Sequence, residues 1–99
     1  MQVEFSSNAL QKAYEKHERA VRRWGPEVAR KYIQRIEALQ AAETFGDVQA
    51  IQAFRVHELE ADRKGEWSIK LTRRARLVVI LSEDQIEVTV KEVSQHYGD

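Results

Sequence analysis

The chain has 99 residues, 42% hydrophobic and 32% charged, with one proline and four glycines; that suffices for one two-layer core, not two, and excludes a disordered chain. Cysteine is absent, which rules out disulfides, thiolate catalysis and Cys-containing zinc sites. Sixteen Lys/Arg balance sixteen Asp/Glu, but residues 1–76 carry a net +4 and residues 77–99 a net −4, so an anion site is expected in the first three quarters of a single domain spanning residues 1–99.

Gln2 to Ser6 alternates Val3 and Phe5 against polar neighbours and reads as a short strand, with Ser6 or Ser7 placed to cap a helix. The stretch NALQKAYEKHERAVRRW repeats apolar positions at Leu10, Ala13, Tyr14, Val21 and Trp24, the spacing of one helical face, with His17 on or beside that stripe. Gly25-Pro26 breaks the helix: glycine ends one segment at little cost, and proline in a first turn loses no needed hydrogen bond. A second helix runs from Pro26 to about Glu43 with Val28, Tyr32, Ile36 and Leu39 as its stripe. Arg19, Arg22, Arg23, Arg30, Lys31 and Arg35 read as a solvated basic face.

Residues 44–53 keep no period and are expected to form a loop with one helical turn. Phe54, Val56 and Leu59 suggest an extended segment, and Asp62-Arg63-Lys64-Gly65 has the form of a type I turn. Glu66 to Thr72 alternates Trp67, Ile69 and Leu71 with polar residues, ARLVVIL (75–81) suits a sheet centre, and Ile86, Val88 and Val90 mark a last strand after the turn Ser82-Glu83-Asp84-Gln85. Trp24 and Trp67 both fall at regular apolar positions and read as core.

One register follows from hydrophobic matching. A loop at residues 72–74 sets Ile69 opposite Leu77 and Trp67 opposite Val79, whereas a one-residue slip would exchange the faces. Lys70 then lies opposite Arg76 on the other face. Two opposed cations repel; either they bend into water, Glu58 or Glu60 neutralises them, or they receive an external anion. No apolar run approaches the roughly 18–20 residues of a membrane span, and MQVEFSSN lacks a signal-peptide layout, so no membrane association is expected and the cytoplasm is the default compartment.

The order strand, helical hairpin joined at WGPEVARK, R-x-H-E-L, D-R-K-G-x-W-S-I, an R-L-V strand and a closing H-Y resembles the RelE/HigB-type toxins of bacterial type II toxin–antitoxin systems, with closest likeness to the HigB, or plasmid-maintenance killer, branch. The resemblance spans essentially the whole chain. It implies an α+β, RelE-like fold: an N-terminal strand and a two-helix hairpin packed on a twisted, mostly antiparallel sheet of four to five strands. It further implies a ribosome-dependent mRNA endonuclease that inhibits translation, working without metal or cofactor, with a cognate antitoxin of helix-turn-helix, HigA-like type. The alternatives are a ParE-like gyrase inhibitor and a degenerate toxin that only binds its antitoxin.

Carried over by position, the resemblance implies that His57, Lys70, Arg76, His96 and Tyr97 are catalytic. Arg63, Lys64, Arg73 and Arg74 become candidate RNA contacts. Such cations, imidazoles and phenols suit a cleavage in which a ribose 2′-OH attacks the adjacent phosphorus, since a proton must be taken, charge stabilised and a leaving oxygen protonated. Where the HigB motif reads H-x-L-K, this chain has His57-Glu58-Leu59-Glu60.

Overall fold

The computed structural model describes residues 1–60, 62–63 and 65–95. Strand β1 (Gln2–Phe5) is followed by α1 (Asn8–Glu15), α2 (His17–Trp24), α3 (Pro26–Ala41), α4 (Phe45–Gln49) and a 3-10 turn (Gln52–Phe54); β2 (His57–Glu58), β3 (Glu66–Thr72), β4 (Ala75–Leu81) and β5 (Glu87–Ser94) complete the chain. The sheet has five strands in the order β1-β5-β4-β3-β2. All neighbours are antiparallel except β1 and β5, which are parallel. Parallel strands need a crossover, and here the helices and the β2–β4 meander supply it.

The Ser7 hydroxyl accepts from the Leu10 N–H at 3.2 Å and caps α1. The first helical stretch is two helices, not one, because Lys16 is extended (φ −126°, ψ 102°). An unbroken helix would carry His17 one turn beyond buried Ala13; the break sends it into solvent, where an imidazole needs no buried partner. At the next junction Gly25 has φ 87°, a conformation costly for any side chain, and Pro26 opens α3. Thr44 and Asp47 form a capping box that starts α4, turning the aperiodic 44–53 stretch into two short helical turns.

The core lies between α1–α3 and one face of the sheet, where Leu10, Tyr32, Ile36 and Leu39 pack with Ile69, Leu77, Val79, Val88 and Val90. Tyr32 is fully buried; its hydroxyl donates to the Leu10 carbonyl at 2.7 Å and its ring lies 4.6 Å from that of Trp24. Trp67 packs edge-on against Phe45 at 5.2 Å. Arg35 departs from the expected solvated face: it is 5% exposed. Ile86 precedes β5 instead of joining it, and is 67% exposed.

The β3–β4 register is the expected one, with Trp67 opposite Val79, Ile69 opposite Leu77 and Lys70 opposite Arg76. The device that sets it differs. Thr72 pairs with Ala75 around a two-residue turn at Arg73-Arg74, and a register shift between Lys70 and Thr72 absorbs the odd residue. A bulge therefore achieves what a three-residue loop was expected to do.

Candidate functional site

The helix-free face of the sheet has two ends of different charge. Cross-strand pairing puts Glu66, Ser68 and Lys70 of β3 beside Ile80, Val78 and Arg76 of β4, and continues Arg76 to Ser94 of β5. His57 pairs with Ser68 and so shares this face, whereas Glu58 pairs with Trp67 and alternates away from it. Directly opposed side chains on a face start about 4.5–5.5 Å apart. Lys70 and Arg76 are therefore immediate neighbours, and His57 stands next to their row.

An open cleft of about 580 Å³ is lined by Gln52, Arg55, Val56, His57 and Arg76. Arg55 ends the 3-10 turn in a left-handed conformation (φ 45°, ψ 51°), and that turn redirects the chain into β2. The His57 Nδ1 lies 3.3 Å from the Arg55 carbonyl. A carbonyl only accepts, so in the neutral ring Nδ1 carries the proton and Nε2 is left as the acceptor. An exposed imidazole with an acceptor nitrogen, set beside guanidinium groups, can take a proton next to a bound anion.

The other end of the face is internally neutralised. Glu66 accepts from Lys91 at 2.9 Å and from Arg63 at 3.0 Å, and Arg63 also lies 3.7 Å from Glu92. These bonds, chiefly that from Lys91, hold the Glu66 carboxyl below the usual range despite its partial desolvation. A carboxyl depressed in the folded state stabilises above its unfolded pKa, and that contribution is lost as pH falls through the folded value. Glu66→Gln should therefore flatten the acid side of a urea-midpoint profile measured from pH about 7 to about 3. A wild-type slope in the variant would rule out this network as its source.

The candidate residues divide accordingly. His57 and Arg76 line one cleft and Lys70 sits opposite Arg76. Arg73 and Arg74 form the exposed tip just beyond that pair and edge a separate groove with Glu27, Thr72 and Gln95. Arg63, expected at RNA, is engaged by Glu66 and Glu92. Lys64, His96 and Tyr97 lie outside the described residues. Among the described residues Lys70 makes no ion pair, so neither Glu58 nor Glu60 neutralises it. Glu58 instead accepts from the Gly65 N–H at 3.4 Å, and exposed Glu60 is not part of the cleft wall.

Three lining residues, Gln52, Arg55 and Val56, were not among the expected site residues, since nothing in the local pattern marks a left-handed Arg55. Among the described residues no group of three His, Asp or Glu side chains is spaced to hold a metal ion, and no helix is long and apolar enough to cross a membrane.

Residues 3–93 match the family model described as the RelE-like toxin of type II toxin–antitoxin system HigB. No curated protein matches the sequence. Among solved structures, a chain of the E. coli DinJ–YafQ toxin–antitoxin complex superposes with a TM-score of 0.60 at 13% identity, covering 98% of this chain and 97% of that one. The YoeB/ParE toxin from Agrobacterium tumefaciens gives 0.58 at 18% identity, with 98% and 100% covered. The YoeB–YefM complex from Staphylococcus aureus gives 0.53 at 15% identity, with 98% of each chain covered. These likenesses establish the RelE-type fold, and because the family model spans nearly the whole chain, the protein belongs to the HigB-like toxins of type II toxin–antitoxin systems.

Proposed function

We propose that this toxin is an mRNA endonuclease acting on translating ribosomes, with the cleft between the 3-10 turn and β4 as its active site. The observation that carries the reading is the pairing of Lys70 with Arg76 on the face shared by His57, at the end where no described carboxylate offsets Lys70. Opposed cations gain nothing from each other and gain much from a phosphodiester between them.

In this reading the RNA 2′-oxygen attacks the adjacent phosphorus while His57 Nε2 takes its proton. Arg76 stabilises the charge on the pentacoordinate phosphate, with Lys70 beside it. The P–O5′ bond breaks to leave a 2′,3′-cyclic phosphate, and a proton is delivered to the 5′-oxygen. His96 and Tyr97 are the further candidates for that acid. Arg73 and Arg74, on the projecting tip, and Lys64 are assigned to RNA backbone contacts. Arg63 serves such contacts only by giving up Glu66.

The partner is an antitoxin, proposed to be of the HigA-like helix-turn-helix kind, and the site of action is the cytoplasmic ribosome carrying mRNA. The test is expression of the toxin followed by mapping of mRNA 5′ ends, and incubation of purified toxin with programmed and empty ribosomes. Cuts within codons that require programmed ribosomes are expected. Intact mRNA with inhibited gyrase would overturn the reading in favour of a ParE-like inhibitor, and intact mRNA with antitoxin binding alone would indicate a degenerate toxin.

A further inference from the structure

Arg35 occupies a position where helix periodicity calls for an apolar residue. Tyr32, Arg35, Ile36 and Leu39 follow the i, i+3, i+4, i+7 spacing of the buried face of α3, and all four are buried. A guanidinium there is costly, because charge leaves water and, among the described residues, Arg35 has no carboxylate partner. Its desolvation lowers its pKa, and the charge of Arg30 adds to that effect. An apolar side chain of similar volume would pack the site at less cost.

What Arg35 touches accounts for its presence. Its Nε donates to the Lys70 carbonyl at 3.0 Å, where the β3–β4 register shifts. Its guanidinium carbon lies 4.2 Å from the centroid of Phe54, the last residue of the 3-10 turn. Its Nη1 donates to the Gln34 side-chain oxygen, which orients the fork. One side chain thus joins the strand that carries Lys70 to the turn that launches Arg55 and His57. In the sheet order β3 stands between β2, which begins at His57, and β4, which carries Arg76.

We propose that Arg35 is a positioning residue that sets the separation between Lys70 and the Arg55–His57 segment, so that His57, Lys70 and Arg76 converge on one phosphodiester. The proposal rests on the ribonuclease reading of the cleft for its functional consequence, but the positioning can be read without any activity. Small displacements of catalytic groups cost up to about 100-fold in rate.

The test compares wild type with Arg35→Met, Arg35→Lys and Phe54→Leu in ribosome-dependent cleavage, thermal melting and backbone amide NMR. Arg35→Met is expected to stay folded, since removal of a buried charge offsets the loss of the donor to the Lys70 carbonyl. Its kcat should fall about 10- to 100-fold at unchanged KM. Arg35→Lys should recover part of the loss, because an ammonium reaches the Lys70 carbonyl yet presents no planar face to Phe54. Phe54→Leu should lower kcat as well, and by less than its single effect when combined with Arg35→Met. In the NMR comparison, amides of residues 54–58 and 70–72 should shift together in Arg35→Met.

A folded Arg35→Met with wild-type kcat and unmoved amides overturns the proposal. So does an activity loss that follows only the loss of folded protein, with no recovery in Arg35→Lys. If Arg35→Met does not fold, the Arg35→Lys and Phe54→Leu variants decide by the same readouts. If wild-type protein leaves mRNA intact, the ribonuclease reading falls by itself, and the amide shifts still decide whether Arg35 couples β3 to the 3-10 turn.

Discussion

Arg76→Ala is expected to lower ribosome-dependent mRNA cleavage about 10²- to 10³-fold, the range found when one positioned donor to a developing oxyanion is removed. Among the described candidate residues, Arg76 alone both lines the cleft with His57 and stands opposite Lys70. Its partner across β4–β5 is Ser94, so its row runs from Lys70 through Arg76 to the last residues of β5. The loss should appear in the chemical step measured in single turnover, while ribosome binding, which draws on other basic groups, changes less.

Arg76→Lys separates charge from shape. A lysine keeps the positive charge but lacks the planar fork that grips two phosphate oxygens, so an intermediate rate is expected. An Arg76→Lys rate equal to wild type would mean that only the local potential matters. Undiminished cleavage by a folded Arg76→Ala would remove Arg76 from the mechanism and, with it, the assignment of this cleft.

The largest stability effect is expected at Tyr32. Tyr32→Ala should cost about 3–5 kcal/mol, the range for emptying a buried aromatic site, against a total of roughly 5–15 kcal/mol for a domain of this kind. The ring fills the space between α1, α2 and α3, touching Trp24, and its hydroxyl satisfies the Leu10 carbonyl from inside the core. Burial pushes the phenol well above its ordinary pKa, with the Arg23 charge partly opposing, so the hydroxyl keeps its proton and its donor role.

Tyr32→Phe isolates the hydrogen bond. It should cost only about 1–3 kcal/mol, the penalty for stranding the buried Leu10 carbonyl. Urea unfolding of both variants at neutral pH measures the split. A Tyr32→Phe loss as large as that of Tyr32→Ala would show that the hydrogen bond, and not the packing of the ring, carries the stability of the helical layer.

Much of the scaffold was legible because it rests on short-range rules. Alternation with period two gave Trp67, Ile69, Leu77 and Val79 one face, and with it the opposition of Lys70 and Arg76. The Gly25-Pro26 junction followed from backbone sterics alone. The burial of Arg35 was also readable, since its spacing from Tyr32, Ile36 and Leu39 is that of a core position; residue type had outweighed position.

Other features depended on pairing between distant segments. The contact of Arg63 with Glu92 joins the segment before β3 to β5, which no local pattern reveals. Glu60, though next to the His57 motif in sequence, falls beyond β2 and off the cleft because strand alternation and the turn into Gly65 separate them. Gln52 begins the 3-10 turn and left-handed Arg55 ends it, and both line the cleft.

By itself, then, the sequence determined the order of elements, the central hairpin register, the helical break at Gly25 and the cation pair, because each is decided by neighbours within a turn or a strand. Tertiary structure decided the parallel docking of β1 on β5, the bulge at Lys70–Thr72, the wall formed by Gln52 and Arg55, and the clamp made by Arg35. The physical reason is that these depend on which distant surfaces must be filled and which backbone groups remain to be bonded once the helices cover the sheet.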